Sequence, residues 1–214
     1  STMPDYRELT GYLHSRDRIR LDGLWRRYND ATDIIDRADL ATLIEQTVAR
    51  FGRLDIMLNN AGIGDRRSSG SKPWDLDDAA WHDTIEVNLH SAFYCSRAAT
   101  RQFLKQGGPG VIVNVASGTA LRSSPQSLGY AAAKAGVISI TKSLAAQLVG
   151  EDIRVNCIIP GYVAQSPAQN DDEVSMRKQR GRFITVRRLG EAWELGALAV
   201  FLCSDASSYI TGES

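Results

Sequence analysis

Residues 111–134 read VIVNVASGTALRSSPQSLGYAAAK, and the fold turns on that stretch. Val111–Val115 is a β-branched run of the kind that forms a strand buried on both faces. After it the period changes: Tyr130–Val149 is Ala-rich and helical, and Gly150 ends it. A strand that passes through a polar turn into a helix is part of a βαβ unit, and the same alternation recurs on both sides.

Upstream, Leu40, Leu43, Ile44, Val48 and Phe51 fall on one stripe, which predicts a helix over Arg37–Phe51 stopped by Gly52. Leu54–Leu58 is then a short apolar strand running into Asn59. Asp77–Leu104 reads as one long helix with Trp81, Ile85, Leu89, Ala92, Ala99 and Phe103 on one face, ended by Gly107, Gly108 and Gly110. Downstream, Ile153–Ile159 is another strand, broken by Pro160-Gly161. An irregular polar stretch follows, and Glu191–Cys203 is a last helix. Strands separated by helices imply a parallel sheet covered on both faces, hence an α/β chain. Residues 1–32 do not share this rhythm, with six arginines and no run of four apolar residues. No repeat, low-complexity tract or Pro-rich linker divides the 214 residues, so 1–214 reads as a single domain with an atypical segment 1–32.

Lys and Arg number 25, as do Asp and Glu, so the formal net charge is zero. No basic field exists to hold nucleic acid or an anionic membrane. A mean hydropathy of -0.24 and the lack of an 18-residue apolar run exclude a transmembrane helix. The opening STMPDYRELT shows no basic start followed by an apolar stretch, so no secretory signal is expected. Cys95, Cys157 and Cys203 lie far apart and outside any CxxC. They predict buried free thiols, no disulfide, no metal site and a reducing, cytoplasmic compartment.

Tyr130 and Lys134 are four apart on a helix, which puts both side chains on one face. A phenol is inert as a base at neutral pH, but a neighbouring ammonium favours its phenolate and makes it a usable general acid/base. Ser117 lies just past the strand Val111–Val115, outside the carboxyl end where ligands bind in a parallel sheet. Asn59-Asn60-Ala61-Gly62 follows Leu54–Leu58 in the same way, and Pro160-Gly161 follows Ile153–Ile159. Three strand ends therefore carry small, polar or turn-forming residues together.

With these motifs the sequence resembles the short-chain dehydrogenase/reductase family over about residues 33–214. NNAG at 59–62, Asn88 in IEVNL, NVAS ending at Ser117, and YAAAK from Tyr130 to Lys134, thirteen residues after the serine, match its landmarks in order. RVNCIIPG, RRLGEAWE and SSYITGES match later ones. The resemblance implies a Rossmann-like doubly wound parallel sheet and hydride transfer between NAD or NADP and an alcohol or ketone carbon. It gives Tyr130 the proton on the substrate oxygen, Lys134 the phenolate and the nicotinamide ribose, Ser117 the substrate oxygen, and Asn88 a water near Lys134. Cofactor contacts carry over to Asp33, Ile34, Asn59, Asn60, Ala61, Gly62, Tyr130, Lys134, Pro160, Gly161 and Val163. Asn29-Asp30-Ala31 is a rival to Asp33-Ile34, and a helix N-cap is another use for Asp33. The helices Asp77–Leu104 and Tyr130–Val149 are those that family members commonly pair, which implies a homodimer or homotetramer.

The chain also departs from the family. Its glycine-rich turn, TGxxxGxG, is echoed only by Thr10-Gly11, and a βαβ unit of about 30 residues does not fit ahead of Asp33 with a further strand. Gln165 stands where a threonine is common, and no final strand follows the TGES-like end, so the sheet is expected to be incomplete at both ends. Leu54–Leu58 would then show an apolar edge. Two functions follow: an oxidoreductase, or a truncated or catalytically dead relative that serves as a binding or oligomerisation partner. The polar, mixed-charge segment Ala164–Arg187 favours a small polar alcohol such as a sugar or polyol.

Overall fold

The computed structural model describes residues 37–64, 72–122, 125, 127–164 and 168–214. Asp33, Ile34, the rival Asn29-Asp30-Ala31, the Thr10-Gly11 echo and Gln165 lie outside the described residues. The first element is α1 (Arg37–Phe51), which turns Leu40 and Ile44 inward and ends at Gly52 with a positive φ of 85°. β1 (Ile56–Asn59) begins two residues later than the sequence suggests. Leu54, ahead of it, is clamped instead by Gln106, whose side-chain oxygen accepts from Leu54 N at 3.1 Å and whose amide donates to Leu54 O.

The single helix expected over Asp77–Leu104 is interrupted. Asp77 caps α2 (Asp78–Ile85) by accepting from the backbone N–H groups of Ala79 and Ala80. One wide π turn, Glu86–His90, then joins it to α3 (Ser91–Gln106). Gly107, at a φ of 72°, ends α3. β2 (Gly110–Val115) begins where a Cβ on Gly110 would overlap the Phe103 ring, so only glycine lets this strand lie on that helix. α4 (Leu128–Leu148) and β3 (Ile153–Ile158) follow. The stretch expected to be irregular holds β4 (Val163–Ala164), α5 (Asp171–Gly181) and β5 (Gly190–Glu191), with β4 and β5 paired in parallel. α6 (Ala192–Cys203) opens on a capping box between Glu191 and Glu194, so Glu191 is its cap rather than its first turn.

The sheet is parallel in the order β1-β2-β3, with Asn59 opposite Asn114 and Asn114 opposite Cys157. On one face α1, α3 and α4 bury Ile44, Phe103, Leu148, Ile112 and Val155 together. On the other, α6 packs Leu202 on Val111, Val113 and Ile158. The outer edge of β3 carries the last residues of the chain: Gly212 N donates to Val155 O, and Cys157 N donates to Glu213 O, both at 2.8 Å. Arg154 fixes that corner by donating to Leu202 O and Ser204 O at the carboxyl end of α6. Helices on both faces of a parallel sheet make this a Rossmann-type α/β fold.

Candidate active site

Three strands side by side bring their carboxyl ends to one side of the sheet. At the end of β2, Ser117 caps a short turn over Gly118–Ala120. Its hydroxyl oxygen accepts from Thr119 N at 3.3 Å and from Thr119 Oγ1 at 3.0 Å. A hydroxyl has two acceptor positions and one donor. Thr119 fills both acceptor positions, so the Ser117 proton is left to donate outward. The turn itself packs on α4, and Gly118 N donates to Pro160 O at 2.9 Å, tying the β2 and β3 ends together.

Tyr130 and Lys134 stand one turn apart at the start of α4, with the ammonium 5.6 Å from the centre of the phenol ring. Lys134 is only 4% exposed. Its Nζ donates to Val115 O at 2.9 Å, and no described carboxylate pairs with it. Burial pushes its pKa down to about 8 from an ordinary 10.5, against a smaller upward pull from Cys157. Two of its three donor hydrogens remain for other acceptors.

Asn88 lies in the π turn and is buried. Its amide donates to Thr84 O at 2.9 Å and to Ile63 O at 2.8 Å, and its oxygen accepts from Ile63 N at 3.2 Å. The loop after β1 is thereby stapled to the helix. Gly62 is squeezed into that contact: a Cβ there would lie 2.7 Å from Asn88 Oδ1 and 3.2 Å from Lys134 Nζ. So Asn88, Gly62 and Lys134 meet at one point. Beside them is a hollow of about 10 Å³, bordered by Ala61, Asn88, Ser91, Val115 and Lys134, which is about the size of one water.

The remaining expected residues divide by exposure. Asn60, Ala61, Gly62, Pro160, Gly161 and Val163 are exposed or half-buried around the strand ends. Asn59 is 8% exposed, and its amide is turned inward to Ala92 O, Ser96 Oγ and Asn114 Oδ1. Asn114 passes the chain of hydrogen bonds on to Thr141 of α4. Thr119, Asn114 and Thr141 are supporting residues that the sequence reading does not single out. An asparagine inside an otherwise apolar buried strand is the signal that would have marked one of them. The three thiols carry no chemistry here. Cys95 and Cys157 are buried and Cys203 is half-buried, and burial raises all three, Cys95 and Cys203 to about 11.

A family model described as enoyl-(acyl carrier protein) reductase matches residues 26–214. The chain is 36% identical over 89% of its length to 71% of an indene-carboxyl-CoA reductase of Mycobacterium tuberculosis. It is 35% identical over 90% of its length to 76% of a 2-dehydro-3-deoxy-D-gluconate 5-dehydrogenase of Dickeya dadantii. Among solved structures it covers 69% of a short chain dehydrogenase from Bacillus anthracis with 85% of its own length, at a TM-score of 0.74 and 34% identity. The chain belongs to the short-chain dehydrogenase/reductase family, and it is an oxidoreductase that moves hydride between a nicotinamide cofactor and an alcohol or ketone carbon.

Proposed function

We propose that Tyr130 is the general acid/base of this oxidoreductase, with Ser117, Lys134 and Asn88 as its partners, in a single Rossmann-like domain. The observation that carries this is the buried Lys134 ammonium beside the Tyr130 ring on α4. The residues present fit the nicotinamide half of an NAD or NADP molecule: bare backbone at Gly161, two open donors on Lys134, and the Asn60–Gly62 loop lie together at the strand ends. When bound, that cofactor supplies or takes up the hydride. Lys134 would hold the ribose hydroxyls, and Asn60, Ala61, Gly62, Pro160, Gly161 and Val163 would hold the ring and its amide.

In the reducing direction Ser117 donates its one uncommitted hydrogen to the substrate oxygen, where negative charge grows in the transition state. Tyr130 delivers a proton to that same oxygen, and the Lys134 charge stabilises the phenolate left behind. The hollow between Asn88 and Lys134 takes one water, through which the site can exchange its proton with solvent. Asn59 supports this assembly from inside the sheet rather than by its own amide.

The substrate is a small polar alcohol or ketone, in keeping with the charged α5 segment and with the sugar-acid dehydrogenase among the relatives. A homodimer or homotetramer pairs α3 and α4, where Phe93 and Leu104 of α3, and Val149 just past α4, are exposed. Among the described residues no helix is long and apolar enough to cross a membrane. Turnover by Tyr130→Phe is the test: removing one hydroxyl lowers kcat by about a thousandfold while the variant still binds the nucleotide. Equal turnover by the variant would remove Tyr130 from the mechanism.

A further inference from the structure

We propose that Arg122 reads an oxyanion of the substrate, which makes the substrate a small hydroxy or oxo acid or a phosphate ester. The inference rests on the placement of Ser117 and Tyr130 given above and names the substrate class of that same site. Arg122 follows the Gly118–Ala120 turn, and its guanidinium folds back over it. An Nη nitrogen lies 3.2 Å from the point where a Cβ on Gly118 would stand, and that point is 3.4 Å from Pro160 O and 3.9 Å from Gly161 Cα. The cation therefore sits between the ends of β2 and β3, one residue along from Ser117.

Among the described residues, the neighbouring glycines leave the space in front of it open. Gly118 has no side chain, and the Cβ position of Gly161 meets no atom within 4 Å. Arg177 pairs with Glu173, and Arg188 grips Glu194 with both nitrogens. No described carboxylate pairs with Arg122. A guanidinium is charged at every working pH, and its fork of donors matches a carboxylate or phosphate edge. Gly118, which the guanidinium overlies, is the chain neighbour of Ser117, so an oxyanion on Arg122 and a carbonyl on Ser117 would belong to one small molecule.

The nucleotide also carries phosphates, so the experiment separates the two sources. Steady-state kinetics and nucleotide titration of the 214-residue protein compare 3-hydroxybutyrate with 3-hydroxybutyramide and glycerol 3-phosphate with glycerol. The wild type is expected to show a KM about tenfold lower for the charged member of at least one pair. Arg122→Ala raises that KM about tenfold or more and leaves kcat, the neutral member and nucleotide affinity within twofold, while Arg122→Lys recovers part of the loss. Three results overturn the proposal: no preference for, or no turnover of, either charged compound by the wild type; an equal loss for both members of a pair; or a loss that falls on nucleotide affinity. A Tyr130→Phe variant that loses neither member points instead to failure of the catalytic assignment, because Arg122→Ala alone discriminates within a pair.

Discussion

Ser117 shows how much one neighbour decides. Its hydroxyl is a directed donor only because Thr119 occupies both of its acceptor positions. Thr119→Val removes the Oγ1 bond and keeps the backbone one, so kcat is expected to fall about tenfold with KM nearly unchanged, and Thr119→Ser to restore it. A KM effect with intact kcat would mean that Thr119 serves binding instead. Lys134 shows the cost of a functional charge. Its folded-state pKa lies near 8, below the ordinary 10.5, so folding disfavours its protonated form. Below pH 8 both the folded and the unfolded chain hold the proton, and the folded chain carries the full penalty, about 3 kcal/mol. The penalty fades as the pH rises from 8 towards 10.5. Lys134→Met is therefore expected to be inactive yet more stable at pH 7, by up to about 3 kcal/mol in urea unfolding, with the advantage shrinking by pH 10. A less stable variant at pH 7 would show that the bond to Val115 O outweighs the burial of charge.

The elements are held in register by polar residues that cross the core. Asn59 of β1, Asn114 of β2 and Thr141 of α4 form one hydrogen-bonded row, and Ser96 ties it to α3. Asn114→Ala strands partners on two sides and is expected to cost about 2–3 kcal/mol. A double-mutant cycle with Asn59→Ala should then give a coupling of about 1 kcal/mol or more; strict additivity would show that the row is not a unit. The apolar spacing made α1, α4 and the three sheet strands readable, because each has a buried face that repeats at the helical or strand period. The π turn at Glu86–His90 was hidden: it adds a single residue to a helix, which leaves the local composition unchanged. It is also the turn that carries Asn88. α5 was missed for the opposite reason. Its residues Asp171–Gly181 have almost no apolar face, and what marks the helix is Asn170 as cap, acids in the first turn and bases in the last. β4 and β5 are two residues each, too short to show a period.

At the scale of the molecule, the sheet gathers onto one side what the sequence holds up to about a hundred residues apart, from Asn60 to Gly161. The proposed catalytic residues Ser117, Tyr130, Lys134 and Asn88 were legible through family motifs, whereas Thr119, Arg122 and Thr141 belong to no quoted motif and emerge only from contacts. Residues 211–213 lie along the edge of β3, where the sequence pointed to an unfinished sheet, and Arg154 locks β3 itself to the carboxyl end of α6. The Asn60–Gly62 loop, Lys134 and the Pro160-Gly161 turn are the proposed holders of a nicotinamide nucleotide. The most direct measurement is a titration of the 214-residue protein with NADH and NADPH, following the melting temperature. At a hundredfold excess over the dissociation constant, binding by one of them stabilises the fold by about 2.7 kcal/mol and raises the melting temperature by roughly 5–10 °C. A folded protein whose melting temperature neither nucleotide moves would contradict a nicotinamide-dependent site in this chain.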